Sequence, residues 1–407
     1  MISIGEPALE QALEGIKVIE LAQLAAVPMA GRLLGDFGAE VIHVEHPVRG
    51  DVLRVILAGV EATKDAPNYV WENYNRNKKA ITLDVSTKKG QQVLYSLIKG
   101  ADVFLTNMRP FEREKFNIDY SDLNAINPRL IYGSITGTGK GGSEQNEPGY
   151  DQTGYWAKSG LAHSTMPQNE PPDCRVGAFG DNVTGLSLAF GISTALLARE
   201  KTGRGQEVDS SLLQAGIFQI SWSVAETLAT NVEREQTLRR DKPNVLMSTY
   251  RTKDKRWFML TLLQPDRYWS VLCKALRRPD LEDDTRFADF QSRLENRGIL
   301  MDTLDEIFAT ATLIEWQDRM AGIPTAPIQN LHEVCTDQQV RDDNMITSMT
   351  LNSGKQMDVV APLVHLSDTP GSVRHAGPEF GQHTEEILLD LGFNWAELET
   401  MKVSGVI

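Results

Sequence analysis

The chain has 407 residues, of which 41% are hydrophobic and 24% charged, as in a soluble globular protein of about two or three domains. Its formal net charge of −14 disfavours broad binding to nucleic acid or to a membrane, since both require a positive surface. Three widely separated cysteines argue against a disulfide framework and against a structural zinc site. No signal peptide and no apolar run of roughly 18 residues is visible, so we expect a cytoplasmic protein.

Short apolar runs, separated by loops and helical patterns, fill the first third of the chain. Five of them predict buried strands: residues 17–21, 41–45, 80–85, 102–106 and 130–135. Strands that alternate with helices form a parallel sheet covered on both faces, so the predicted fold class is α/β. Residues 143–180 are rich in proline, glycine and polar side chains, which predicts an irregular segment of the kind that often carries chemistry.

Asp181 stands at the start of a helix predicted for residues 182–200. Apolar residues cover most of this helix, so we expect it to be buried all round. Aspartate before a helix is a favoured cap, but the helix dipole also keeps a carboxylate ionised, and an ionised carboxylate can act as a nucleophile. Gly180 and Gly185 would allow a substrate to approach closely. Local sequence alone leaves both roles of Asp181 open.

The second half of the chain contains a predicted smaller α+β domain at residues 245–325, with linkers at 231–244 and 326–334. Within it, the pattern around residues 253–255 predicts a hairpin. Near the C-terminus, His383 precedes a helix predicted for residues 384–391, where we expect it to act as a cap.

Several common site motifs are missing. The loop after the first strand lacks the glycines of a dinucleotide site, so Glu45 is not interpreted as a ribose-binding acid. No GxxxxGK[ST], GxSxG or HExxH is present. The histidines show no metal-ligand spacing, and we predict no metal site.

A series of motifs in a fixed order runs along almost the whole chain: LEGIKVIEL, GAEVIHVEHPVRGD, NRNKKAITLDV, ADVFLTNMRP, NPRLIYGSITG, PGYD, GAFGDNVTG, KTGRGQEVDSSLLQA and GQHTEEIL. This order resembles the class III CoA-transferases (CaiB/BaiF type), and is most similar to their 2-hydroxyacid and phenyllactate branch. The resemblance implies a Rossmann-like large domain at residues 1–230 and 335–407. It also implies an interlocked-ring homodimer, with a hetero-oligomer of related subunits as the alternative.

The family's nucleophile is the aspartate of a GD-x-x-x-G segment, here Asp181. The resemblance therefore implies transfer of coenzyme A from an acyl-CoA donor, such as succinyl-CoA, to an aryl, 2-hydroxy or dicarboxylic acid. The transfer would proceed through an aspartyl-CoA thioester, with oxyanions stabilised by N–H groups at the helix start. The alternatives are an acyl-CoA racemase of the α-methylacyl-CoA racemase type and a non-catalytic partner subunit. The intact GD-x-x-x-G segment argues against the second alternative.

The resemblance also assigns residues around the reacting centre. It implies that Tyr150 and Asp151 of the PGYD segment are catalytic residues together with Asp181. Racemases carry a histidine before that aspartate, and tyrosine, with a pKa of about 10, is a poor base, so Tyr150 favours the transferase. Further candidates for the acid pocket are Trp156, Met166, Phe179, Trp222 and Arg175.

Eight residues are implied to lie near the CoA: Gln23, Ala25, His46, Asn75, Asn107, Met108, Arg109 and Lys115. Ala25 replaces a glutamine of the formyl-transferring branch, and His46 replaces an arginine that meets the nucleotide phosphates. For Arg109 and Lys115, a solvated helix face is the alternative interpretation.

Overall fold

The computed structural model describes residues 11–58, 60–165, 177–233 and 238–407. The chain divides into a large unit, Met1–Val232 with Arg341–Ile407, and a small unit, Glu233–Val340. Within the described ranges, no helix is long and apolar enough to cross a membrane.

The large unit is built on a parallel sheet of short, buried strands. In the described part of the chain these are β1 (Lys17–Leu21), β2 (Glu40–Glu45), β3 (Lys78–Thr82), β4 (Val103–Thr106), β5 (Ile131–Thr136) and β6 (Glu207–Ser211). Their order is β3-β2-β1-β4-β5-β6, and each neighbouring pair is parallel. This is the doubly wound order 3-2-1-4-5-6, so the predicted α/β fold with a Rossmann-like sheet is confirmed.

Helices pack on both faces of this sheet. The helices of this region are α1 (Ala26–Asp36), α2 (Tyr69–Asn75), α3 (Lys88–Lys99), α4 (Pro110–Phe116), α5 (Tyr120–Ile126), α6 (Leu161–Thr165), α7 (Phe179–Thr202), α8 (Leu212–Gln219) and α9 (Ser221–Thr230). Neighbouring residues of a strand face opposite sides, so Val18 joins the core formed with α1 and α7, and Ile19 joins the core formed with α3 and α5. Short 3-10 turns at Val52–Arg54 and Glu61–Thr63 lead to α2.

The long helix α7 is buried along one face and exposed along the other. Leu188 and Ile192 are fully buried, whereas Phe190 is 73% and Leu197 62% exposed. The expectation that this helix is buried all round is therefore wrong for a single chain. An apolar face of this kind normally marks a protein–protein contact.

The C-terminal segment returns to the large unit as β10 (Ile346–Thr350), β11 (Gln356–Val360), α17 (Thr384–Asp390) and α18 (Trp395–Val403). His383 joins it to β3, because its Nδ1 accepts a hydrogen bond from the Ala80 N–H at 3.1 Å and its own N–H donates to Ala80 O at 2.9 Å. His383 occupies the cap position of α17, as expected, but its side chain makes no cap bond to the helix.

The small unit contains an antiparallel sheet of β7 (Met247–Arg251), β8 (Trp257–Thr261) and β9 (Thr325–Pro327), in that order. The predicted hairpin is confirmed: β7 pairs with β8, and Lys255 in the turn has a φ of 63°. The accompanying helices are α10 (Pro265–Leu276), α11 (Pro279–Glu282), α12 (Phe290–Glu295), α13 (Arg297–Phe308), α14 (Leu313–Arg319) and α15 (Leu331–Thr336); α16 (Gln338–Asp342) leads back to the large unit.

Parts of the two predicted linkers are ordered into regular structure. Residues 326–334 include the end of β9 and the start of α15, because Ala326 pairs with Met259 of β8. In the segment 231–244, the 3-10 turn Arg239–Asp241 is held by the ion pair of Arg239 with Asp305, at 2.6 Å.

Candidate active site

A cleft of about 420 Å³ opens at the carboxyl edge of the parallel sheet. Its walls include Leu21, Val44, Leu83, Asn107 and Thr136, which lie at or just after the ends of β1 to β5. In doubly wound sheets, ligands bind at this edge, where the strand order reverses between β1 and β4. The cleft is therefore the candidate active site.

Most residues proposed from the sequence line this cleft: Gln23, Ala25, His46, Asn107, Met108, Arg109, Tyr150 and Asp181. Asn75 and Lys115 do not. Asn75 is fully buried, and its Oδ1 accepts a hydrogen bond from Lys78 Nζ at 3.0 Å. Lys115 is exposed on α4, with its ammonium 5.5 Å from the centre of the Phe116 ring. The structure thus brings together the first strand's loop, the β4 loop and the nucleophile candidate.

Asp181 is the third residue of α7, so of the two roles that the local sequence left open, the cap role is wrong. The residue before the helix is Ala178, which has a left-handed φ of 57° and makes no side-chain cap bond. Because Ala178 occupies the cap position, Asp181 lies on the first turn of α7, and it borders the cleft.

Asp151 supplies the cap from a distant part of the sequence. Its Oδ1 accepts hydrogen bonds from the N–H groups of Gly180, at 2.5 Å, and Asp181, at 3.1 Å. Its Oδ2 accepts from Trp156 Nε1 at 3.1 Å. Asp151 is buried and does not line the cleft, so it lies behind the Asp181 backbone and orients the first turn of α7.

The electrostatics of the site place Asp181 near its ionisation midpoint at neutral pH. Burial, and then the negative charge of Asp151, raise the pKa of Asp181 to about 7. Burial also raises the pKa of Asp151, although its bonds from the Asp181 and Gly180 N–H groups oppose this. A carboxyl with a near-neutral pKa in a cleft is a common sign of an active site.

Gly180 and Gly185, on either side of Asp181 in α7, pack closely against other parts of the protein. A Cβ on Gly180 would collide with the Tyr155 side chain, and a Cβ on Gly185 would lie 2.5 Å from Ala26 O. The expectation that they admit a substrate is therefore wrong. Residues 181 and 185 are one helical turn apart, so this close packing sets Asp181 beside the start of α1.

The loop between β1 and α1 is held in a defined shape. The Gln23 N–H donates to Asn107 Oδ1 at 3.2 Å, and Asn107 Nδ2 donates to Gln23 O at 2.7 Å. Ala25 precedes α1 and makes no side-chain cap bond. Asn107 therefore acts on this loop as well as on the cleft wall.

The sequence interpretation missed Arg49, which lines the cleft beside His46. His46 Nδ1 accepts hydrogen bonds from the backbone N–H groups of Val48, at 3.1 Å, and Arg49. Burial would raise the pKa of Asp84 in the same wall, but hydrogen bonds from Ser86 and the charges of His46 and Arg49 outweigh it and lower that pKa. Arg49 could have been found from its position in the HPVRGD turn, which directly follows β2 and lies where a phosphorylated ligand would bind.

The proposed acid-pocket residues have varied positions. The Trp156 and Phe179 rings pack together with centroids 5.7 Å apart, next to Asp151. Trp222 is 84% exposed on α9. Met166 and Arg175 lie outside the described residues.

Fold and cleft together define a doubly wound α/β protein that presents a carboxylate to a ligand at the switch point of its sheet. A family model described as CoA-transferase family III matches residues 13–384. The chain is 33% identical over 406 residues to an (R)-2-hydroxy-4-methylpentanoate CoA-transferase of Clostridioides difficile, covering 97% of this chain and 99% of that protein.

Two further comparisons agree. The chain is 31% identical over 385 residues to the beta subunit of a succinyl-CoA–L-malate CoA-transferase of Chloroflexus aurantiacus, covering 93% of this chain and 94% of that one. The crystal structure of a CAIB/BAIF family protein from Brucella suis superimposes with a TM-score of 0.82 at 29% identity, over 94% of this chain and 99% of that chain. The protein belongs to CoA-transferase family III and is an enzyme of that class, as its motifs predicted.

Proposed function

We propose that this enzyme transfers coenzyme A through Asp181, which acts as the nucleophile. The observation that carries the proposal is the position of Asp181, a carboxylate with a near-neutral pKa on the first turn of α7, in the wall of the cleft. An ionised carboxylate held there can attack the thioester carbonyl of an acyl-CoA that occupies the cleft.

The steps balance without an external oxidant, reductant or net proton. Asp181 attacks the donor thioester, whose C–S bond breaks to give a mixed anhydride and CoA thiolate. The thiolate attacks the aspartyl carbonyl, which releases the donor carboxylate and leaves an aspartyl-CoA thioester. The acceptor carboxylate attacks that thioester, and the released thiolate then takes the acyl group of the acceptor. New acyl-CoA leaves, and the carboxylate of Asp181 is restored.

The oxyanions of these steps need hydrogen-bond donors. The sequence suggested the N–H groups at the start of this helix for that role, but those of Gly180 and Asp181 are occupied by Asp151. The start of α1 is the better candidate, because Ala25 and Ala26 line the cleft and no side-chain bond from Ala25 caps the helix. The positive end of the α1 dipole then faces the developing charge.

A 2-hydroxy acid is the acceptor that the comparisons support best. The names of both relatives above contain one, 2-hydroxy-4-methylpentanoate or malate, and one name contains succinyl-CoA. We therefore take succinyl-CoA as the first donor to test. Aryl and dicarboxylic acids are the remaining acceptor classes. Ala25 in the cleft offers no side-chain amide, which disfavours a formyl-transferring role.

An assay in deuterated buffer distinguishes CoA transfer from racemisation. The enzyme is incubated in deuterated buffer with succinyl-CoA and a panel of 2-hydroxy, aryl and dicarboxylic acids, and products are analysed by mass spectrometry. We expect a new acyl-CoA without deuterium at its α-carbon. Deuterium uptake without acyl exchange would instead show a racemase, although Tyr150, 59% exposed, stands where racemases carry their histidine. A chain that is inactive by itself, and shows the reaction only when it is co-expressed with a homologous subunit, would support the non-catalytic alternative.

We infer that the large unit is completed by a second chain, as the family's interlocked rings require. Support comes from apolar side chains that a single chain leaves in water along α7 to α9: Phe190, Leu197, Phe218, Trp222 and Leu228, each at least 62% exposed. One relative is named as a beta subunit, so a related chain is the alternative partner.

A further inference from the structure

A row of buried charged side chains, here called the charge chain, crosses three neighbouring strands of the sheet: Lys78 on β3, Glu20 on β1, His43 on β2, and Asp51 after β2. Lys78 Nζ and His43 Nδ1 each lie 2.7 Å from Glu20 Oε1. His43 Nε2 lies 3.5 Å from Asp51 Oδ2. Charges of opposite sign alternate along the row, so the four groups sum to zero when His43 is protonated.

Neighbouring groups keep His43 and Asp51 ionised despite their burial. Burial alone would neutralise His43, but Asp51 and Glu20 outweigh it and raise the pKa of His43 to about 9. Burial alone would raise the pKa of Asp51, but His43 and the N–H groups of Leu53 and Leu24 outweigh it and lower that pKa. Asp51 is therefore a buried carboxylate with its charge intact.

The charge chain ends at the loop that borders the cleft. Asp51 Oδ1 accepts hydrogen bonds from the N–H groups of Leu24, at 3.3 Å, and Leu53, at 2.8 Å. Leu24 has a φ of 65°, a left-handed conformation that is unfavourable for a leucine and persists only where the surroundings enforce it. Asn107 holds the preceding residue, Gln23, at both its N–H and its carbonyl.

We propose that Asp51 is a positioning residue: backed by the charge chain, it holds Leu24 in the left-handed conformation and so fixes loop 23–25 in the shape that binds acyl-CoA. The inference rests on the proposed function, because it takes acyl-CoA as the ligand of the cleft. Stability alone does not account for the arrangement, since buried ion pairs are about as stable as apolar side chains of similar volume, or less so.

The test compares Asp51→Ala with Asp51→Asn. Alanine removes the acceptor, and we expect the KM for acyl-CoA and the Kd for free CoA to rise about tenfold, as for the loss of one hydrogen bond to a charged group, with kcat changed less than about threefold. Asparagine keeps an oxygen for the Leu24 N–H, so its KM should stay within about threefold of the wild-type value. An alanine variant that binds CoA as tightly as the wild type would overturn the proposal.

Asp36→Ala is the matched control for lost stability. Asp36 is a fully buried carboxylate that pairs with Arg32 and Arg76 and does not line the cleft. We expect a fall in the thermal midpoint at least as large as that of Asp51→Ala, with an unchanged KM. A KM that rises equally in both variants would show that the effect is a general loss of structure.

A second test combines Leu24→Gly with Asp51→Ala, and it applies even if the Asp51→Ala single variant folds poorly. Glycine adopts positive φ without strain, so in this background Asp51→Ala should raise the KM less than about threefold. An undiminished effect would contradict the proposal. Hydrogen exchange of peptides over residues 21–26 should rise in Asp51→Ala and stay near wild type in Asp51→Asn. Because CoA binding needs no chemistry, these readouts remain valid if Asp181 is not the nucleophile.

Discussion

At the scale of residues, two neighbouring carboxylates have different roles because their surroundings differ. Asp151 turns inward and accepts three hydrogen bonds, two of them from the backbone around Asp181. Asp181 faces the cleft with a pKa near neutrality. One carboxylate orients the helix start and contributes to the raised pKa of the other, which borders the cleft.

Removal of the Asp151 charge should shift the pH dependence of transfer. Because that charge helps to raise the pKa of Asp181, Asp151→Asn should move the acidic limb of kcat/KM from about pH 7 to lower pH. The asparagine amide cannot accept from Trp156, so the comparison is made in a Trp156→Phe background, which also serves as the control. If the acidic limb lies at the same pH in Trp156→Phe and in the Asp151→Asn/Trp156→Phe double variant, the Asp151 charge does not raise the pKa of Asp181.

The sequence motifs named both carboxylates, but the local preference of aspartate for a helix start pointed to Asp181 as the cap instead of Asp151. The reason is physical: the cap bond joins residues 30 positions apart, and local preference for aspartate at a helix start cannot reveal it. Likewise, Gly180 and Gly185 indicated close approach, but only the packed structure shows that Tyr155 and Ala26 are what approaches.

At the scale of elements, the close packing of α7 on α1 determines where Asp181 lies. Gly185→Ala would place a Cβ 2.5 Å from Ala26 O, and we expect a loss of about 1–3 kcal/mol in the free energy of unfolding. It should also lower kcat about tenfold or more, since α1 and Asp181 move apart. Gly191→Ala is the control, because Gly191 lies further along α7 and its Cβ would crowd Val208 of β6, away from α1. Equal kcat values in the two variants would refute this link.

Because of the charge chain, the stability of the sheet at β1, β2 and β3 should depend on pH. The pKa of His43 is raised to about 9 from an unfolded value near 6.5, so its contribution to stability is complete below about pH 6.5 and is lost as pH rises through about 9. We expect the thermal midpoint of the wild type to fall over this range, and that of His43→Gln to fall less. Parallel pH profiles for the two proteins would show that His43 is neutral.

Most elements of the large unit follow from apolar patterns, and the exceptions have a reason. The strands β1 to β5 are apolar because both faces of the sheet are covered. The strand β6 was missed because it reads Glu-Val-Asp-Ser-Ser and forms the edge beside β5, where few apolar contacts are required.

At the scale of the whole molecule, a single chain leaves the apolar face of α7 to α9 exposed to water. We expect light scattering after gel filtration to give about twice the chain mass of 45.2 kDa. Phe190→Glu should weaken that assembly, because it places a charge in the apolar contact. Glu200→Gln, at an exposed position on the same helix, is the control. A wild-type monomer that is fully active would contradict the inferred second chain.

Capture of the covalent intermediate tests the role of Asp181 most directly. The enzyme is incubated with succinyl-CoA, trapped with hydroxylamine or borohydride, digested, and mapped by mass spectrometry, with Asp181→Asn as the control. We expect an adduct on Asp181 that forms only with the acyl-CoA and is absent from the variant. Modification of another residue, or turnover without any adduct on Asp181, would show that Asp181 is not the nucleophile.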